Sequence, residues 1–168
     1  MIFKSAILIA TGALLAGCAG MRSDLVLDTA GPTPGQPAPA ASGPGFLIVF
    51  SAGKVNADFN SPDPNRREYS DYKILDADKK LVRHVHNATE DIIQGPVLVD
   101  LPPGKYFVVV RSNGYGVVTV PVIIASAQQT ILHLDGRNAW PNESSFTQSN
   151  AVRLPDGEVV GWKNASNN

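Results

Sequence analysis

From Phe46 to Trp162 no stretch sustains a helical period for long; short runs of β-branched and aromatic residues alternate with turn residues instead. This punctuation restricts the chain more than any other feature, because such runs satisfy a pleated surface and are too short to bury a helix stripe. Phe46–Phe50, Tyr72–Leu75, Leu81–Val85, Val97–Leu101, Tyr106–Arg111, Val117–Ile124 and Thr130–Leu134 read as strands, with Val152–Leu154 and Val159–Trp162 as a further pair. Within Val117–Ile124, Val118, Val120, Val122 and Ile124 share one face, and Pro121 on the other pushes the strand toward a sheet edge or a bulge. Leu132 and Leu134 face one way, Ile131 and His133 the other. Asp76–Lys79, Asn113–Gly114 and Pro155–Glu158 read as reversals, and Pro102–Pro103–Gly104–Lys105 as a type II turn with a positive φ at Gly104. Turns at this spacing predict an all-β fold, an antiparallel sandwich or barrel over residues 46–162, with residues 163–168 a disordered tail.

The domain has no covalent staple. The chain of 168 residues holds one cysteine, Cys18, which excludes an intramolecular disulfide and any multi-cysteine metal site. Packing alone must therefore stabilise the sandwich, which its length permits. Fourteen basic against fifteen acidic side chains give a net charge of −1, without the positive footprint that nucleic-acid binding requires.

The one thiol closes an N-terminal apolar segment. Lys4 precedes the run Ala6–Ala16, which is too short for a permanent bilayer span and suits a signal-peptide core. It ends in Leu15-Ala16-Gly17-Cys18, which resembles the lipobox of bacterial lipoproteins. The resemblance implies that residues 1–17 are a cleaved signal peptide, with Leu15, Ala16 and Gly17 recognised for cleavage. It further implies that Cys18 becomes the first mature residue, carrying diacylglycerol and an N-acyl chain; two or more chains anchor stably where one does not. The mature chain has 151 residues and a charge of −2, and its sequence contains no polybasic run to assist the anchor. Ala19, in place of the Asp that signals inner-membrane retention in some lipoprotein families, points to the outer membrane, facing the periplasm.

Between this anchor and the first long strand, nine of the eighteen residues from Asp28 to Gly45 are Pro or Gly. Such composition offers no face to bury, so residues 18–45 read as a lipidated N-terminus and a disordered, flexible linker.

One stretch of the domain carries a second resemblance. Leu101-Pro102-Pro103-Gly104-Lys105-Tyr106, Gly114-Tyr115, Val120-Pro121-Val122 and Thr130-Ile131-Leu132-His133-Leu134 together look like the second half of transthyretin-like or carboxypeptidase-regulatory-like modules. That implies an Ig-like or prealbumin-like β-sandwich, generally non-catalytic. The tail from Trp140 to Trp162 has no counterpart in the minimal module and is expected to wrap or extend the sheet.

Easily read chemistry is missing. The sequence contains no Gly-x-Ser-x-Gly, His-Glu-x-x-His, Walker loop or Gly-x-Gly-x-x-Gly. His84 and His86, two apart on a strand, point the same way and could clasp a metal with a carboxylate from elsewhere; the plainer account is a solvated outer face. Asn56, Asp58, Asn60 and Asp63, and separately Asp76 and Asp78, invite a calcium reading, but both lack the Gly and terminal Glu of an EF-hand loop and suit turn chemistry. Asn60–Arg67 reads as a polar insertion, with Arg66 and Arg67 candidates for recognition. Tyr72, Tyr115, Trp140 and Trp162 are aromatic candidates for stacking on sugars, against the default of core packing.

These features lead to one expectation and two alternatives. The expectation is a lipid-anchored, non-catalytic envelope lipoprotein without resident metal or cofactor, its sandwich binding a protein or polysaccharide partner. The alternatives are a metal-assisted hydrolase of an envelope polymer using His84 and His86, and a structural or assembly component of an envelope complex.

Overall fold

The computed structural model describes residues 25–33, 42–56, 66–87, 95–136 and 149–163. They are all-β: β1 (Leu25–Val26), β2 (Gly45–Phe50), β3 (Gly53–Asn56), β4 (Arg66–Tyr69), β5 (Tyr72–Leu75), β6 (Leu81–Val85), β7 (Leu98–Leu101), β8 (Gly104–Ser112), β9 (Gly116–Ile124), β10 (Gln129–His133), β11 (Ala151–Arg153) and β12 (Val159–Trp162). A five-stranded sheet, β1-β9-β8-β5-β6, faces a three-stranded one, β10-β2-β7, and two hairpins, β3-β4 and β11-β12, complete the strands.

Period-two alternation builds the interior. Leu47, Val49, Val99, Leu101 and Leu132 from the smaller sheet meet Ile74, Val108, Val110, Val118, Val120 and Val122 from the larger, all buried in one cluster. Each such side chain contributes roughly 1.5–3 kcal/mol when fully buried, and this is the cohesion a chain without disulfides requires. Val152, Leu154 and Val160 of the last hairpin join the same cluster, so the tail adds a wall to the core.

Most strands fall where the residue pattern places them, but the start of the domain does not. Leu25 and Val26 pair in parallel with Val118 and Thr119. The Leu27 N–H then donates to the Thr119 carbonyl, Ala30 N–H to Pro121, Gly31 N–H to Trp162 and Thr33 N–H to Gln129. Leu25 and Val26 thus belong to the fold, and Asp28–Thr33 is a docked edge rather than the start of a free linker. The composition argument fails here because the segment is held by its backbone: it caps a sheet edge, and small Ala30 is completely buried there. The remaining linker residues 34–41 lie outside the described residues, as do residues 1–24 and 164–168.

Pro121 explains the form of this edge. Ala30 N–H donates to the Pro121 carbonyl and Ile123 N–H to the Ala30 carbonyl, as in a parallel ladder. One step earlier, the same ladder would need an N–H from residue 121 to reach the Leu27 carbonyl. Proline has none, and pairing stops after Val26 and resumes only at Ala30, opposite Val122. The second difference from an antiparallel sandwich is that β10 pairs in parallel with β2, Gln129 opposite Phe46 through His133 opposite Phe50. The Ala125–Gln128 turn carries the chain from β9 across to the other sheet, so no hairpin forces an antiparallel neighbour.

The turns separate in the same way. At Asn113–Tyr115, φ is +84° for Gly114 and +75° for Gly116, and at Pro155–Glu158 the Gly157 N–H closes on the Leu154 carbonyl. The Asp76 Oδ1 accepts N–H bonds from both Asp78 and Lys80 at 2.9 Å, so this aspartate serves the turn. Gly104 departs from the type II expectation: its φ is not among the positive ones, and it already pairs with Ile124 at the start of β8. The chain changes sheets here instead of folding straight back. Tyr106 spans the corner, its hydroxyl donating to the Pro102 carbonyl at 3.0 Å.

Two positions pin the sheets together. A Cβ on Gly45 would lie 2.2 Å from the Ala125 carbonyl oxygen, so only glycine lets β2 pass the end of β9. Asn87 is fully buried. Its amide donates to the Val49 carbonyl at 2.9 Å and the Ser51 hydroxyl at 3.0 Å, and its Oδ1 accepts the Val97 N–H at 3.0 Å. Asn87→Ala leaves several buried groups without partners, each worth about 1–3 kcal/mol, so chemical denaturation is expected to show a loss of about 3 kcal/mol or more; an unchanged midpoint would refute the role. Gly45→Ala forces an overpacked contact and is expected to cost about 1–3 kcal/mol, read as a lower thermal midpoint.

Candidate functional site

The core uses the inward positions of the large sheet, and its outward positions define a second face. β8 places Lys105, Phe107, Val109 and Arg111 there, and β9 places Val117, Thr119, Pro121 and Ile123, of which Thr119 and Pro121 are buried and Val117 is exposed. β5 adds Lys73, opposite Val109, and Leu75, opposite Phe107. β1 adds Val26, opposite Thr119, and β6 adds His84, opposite Lys73. No Asp or Glu occupies an outward position of β5, β8 or β9.

This face is apolar with a cationic overlay. Val26 and Val117 are 57% and 44% exposed, while Lys73, Lys105 and Arg111 stand in solvent and Phe107 and Val109 are half-buried. Lys79, held at φ 66° in the turn, lays its ammonium 4.1 Å from the centre of the Phe107 ring. A shallow groove of about 240 Å³ runs across the face between Asp71, Lys73, His84, Val109, Arg111 and Val117. Sequence reasoning missed this cluster. Its cations are spread from Lys73 to Arg111, and only strand order brings them together; the period of two would have placed Lys105 and Arg111 on one face, but not beside Lys73.

The residues singled out from sequence fall in several places. His84 and His86 lie at the rim, both exposed, with ring centres 6.2 Å apart. His86 Nδ1 sits 2.8 Å from Asp71 Oδ2, and the other Asp71 oxygen accepts the Asn87 N–H at 3.1 Å. This carboxylate orients the histidine and ties the rim to the Asn87 knot. No three His, Cys, Asp or Glu side chains gather as a metal-holding group among the described residues. His133 stacks on Phe50 with centres 4.1 Å apart and planes 8° from parallel.

Tyr72 is not a platform for a sugar: it is a core residue, 2% exposed. Tyr115 packs half-buried against the core, and burial followed by the Asp156 carboxylate holds its hydroxyl above the ordinary phenol range. Glu158 is raised too, by partial burial and then by Asp156 and Asp135, so this end of the molecule is acidic. It borders an open cleft of about 440 Å³ lined by Gly136, Arg153, Asp156 and Glu158. Arg66 and Arg67 belong to β4, opposite Asn56 and Val55, so they lie in a hairpin strand and not in the expected insertion loop. Between that hairpin and the Asn113 turn is another open cleft, of about 410 Å³, where Lys54 and Glu68 pair at 3.2 Å. Leu15, Ala16, Gly17, Cys18 and Trp140 lie outside the described residues, as do the acidic positions between residues 57 and 65.

No family model, curated protein or solved structure matches the chain.

The Tyr72 hydroxyl is buried without a hydrogen-bond partner among the described residues. Burial pushes its pKa well above the usual value near 10, against a smaller opposing effect of Arg83. The neutral phenol is the form the fold holds, so this contribution to stability is complete below about pH 10 and is lost as pH rises beyond it, where the unfolded chain ionises first. Tyr72→Phe is expected to leave stability unchanged or higher at neutral pH and to flatten the alkaline decline in unfolding free energy. A neutral-pH loss above about 1 kcal/mol would mean that the hydroxyl has a partner.

Proposed function

We propose that the chain is a lipid-anchored, non-catalytic lipoprotein of a bacterial cell envelope whose β-sandwich binds a protein or polysaccharide partner. The observation that carries the reading is the sequence Leu15-Ala16-Gly17-Cys18 at the end of a short apolar run. In this reading residues 1–17 are removed, Cys18 carries diacylglycerol through its sulfur and an acyl chain on its new amino group, and Ala19 favours the outer membrane. The absence of any disulfide requirement agrees with it, because the one thiol is committed to lipid.

The finer fold assignment, an Ig-like or prealbumin-like module, is part of the proposal. Its support is the facing of two sheets and the Tyr106 hydroxyl reaching back to Pro102 where the chain changes sheets, a device that Greek-key sandwiches also use.

Mass spectrometry of the protein made in a bacterium is expected to find Cys18 at the mature N-terminus with the mass of its acyl chains. Cys18→Ser is expected to move the protein from the membrane pellet to the soluble fraction. A bare Cys18, or an unchanged pellet after the substitution, would remove the proposal's basis.

A further inference from the structure

The docking of Leu25 fixes how far the folded domain can stand from its anchor. Only six residues, 19–24, separate Cys18 from β1. At about 3.3–3.6 Å per extended residue, that stretch reaches at most roughly 25 Å, less than the length of the nine-residue strands β8 and β9, about 30 Å. The Pro/Gly-rich segment adds nothing to this distance, because Thr33 and Gly43 are both fastened to the same turn region, at Gln129 and Ser126. A domain leashed this closely must rest one of its surfaces near the headgroups.

We infer that the outward face of the β1-β9-β8-β5-β6 sheet lies against the bilayer, with Val26 and Val117 toward the acyl boundary and Lys73, Lys105 and Arg111 on anionic lipid headgroups. The inference rests on Cys18 being acylated. Three observations select this face. It contains β1, from which the chain leaves toward the anchor. Its outward strand positions carry cations and no carboxylate, although the whole chain has a net charge of −1; Asp71, which lines the groove, is engaged by His86, and Asp76 and Asp78 stand at the border in the turn that carries Lys79, where the Asp76 Oδ1 is held by two backbone N–H groups. The neighbouring end of the molecule, with Asp135, Asp156 and Glu158 around Tyr115, is repelled by the same headgroups. The opposite outward face is thereby turned toward the periplasm, and with it Leu98 and Asp100 of β7.

The acylated full-length protein, reconstituted into phosphatidylethanolamine–phosphatidylglycerol vesicles, tests this directly. With Cys18 blocked by lipid, a single fluorophore is attached through Val117→Cys or, on the opposite face, Leu98→Cys, and quenched by spin-labelled lipid. Quenching at position 117 is expected to exceed that at position 98 several-fold. Replacing Lys73, Lys105 and Arg111 by Glu, with the melting temperature checked, is expected to abolish the difference. In unacylated Cys18→Ser protein, each replacement by Ala is expected to weaken partitioning to these vesicles roughly fivefold. Equal quenching at the two positions in acylated protein overturns the inference while leaving the anchor intact. So does a face that is shielded only when cell-wall polysaccharide or an envelope protein is added. A bare Cys18 by mass spectrometry is a separate result: it overturns the anchor, and the inference with it.

Discussion

The backbone of β9 is the constraint on which the other elements depend. One side forms a ladder with β8 along nine residue pairs, and the side chains of Val118, Val120, Val122 and Ile124 fill the centre of the core. The other side is interrupted by Pro121, which withholds the donor that a regular neighbouring strand would need. A full-length partner is therefore excluded there, and a short broken one, Leu25–Val26 followed by Ala30, takes its place. The same proline keeps the edge from offering an unbroken row of donors and acceptors to another chain.

What holds the second sheet to the first is less the number of apolar contacts than the way the chain crosses between layers. Each crossing must satisfy backbone groups that a hairpin would have paired. Asn87 does this after β6 by serving Val49, Ser51 and Val97 together, and the Ser51 hydroxyl passes the connection on to the Ser70 carbonyl at 2.6 Å. Thr130 does it after β9, its hydroxyl donating to the Ile123 carbonyl at 2.9 Å. In a domain with no disulfide, such fully satisfied polar knots fix one arrangement where hydrophobic burial alone would accept several.

Alternation and turn chemistry made the long strands and most reversals legible in the sequence, because β-branched residues at every second position leave little choice of face. Three things were not legible. β1 and the Ala30 bridge are held by main-chain hydrogen bonds, which composition does not reveal. β4 carries Arg66, Arg67 and Glu68 in a run that reads as loop, and it is a strand because β3 lies opposite it. The cationic face depends on strand order, a tertiary fact: Lys73 and Arg111 are far apart in the chain, yet each flanks Val109 on the folded face. The candidate aromatics divided for the same reason, since nothing local distinguishes Tyr72, with its ring in the core, from Phe107, with its ring under Lys79.

Register connects the stability of this fold to its surface electrostatics. Since successive strand residues alternate faces, a slip of one position would bring Lys105 and Arg111 inward and turn Val108 and Val110 out. The desolvation cost of the buried cations would then oppose the slip as strongly as the exposed valines do. Gly45, which admits only a bare backbone beside Ala125, and Pro121, which permits docking only on either side of its missing donor, hold that register from two directions. The separation of a face with cationic strand positions from an apolar interior is thus a consequence of the same alternation that builds the core. The cationic strand positions therefore require no additional element: they are the reverse side of the strands that the core already demands.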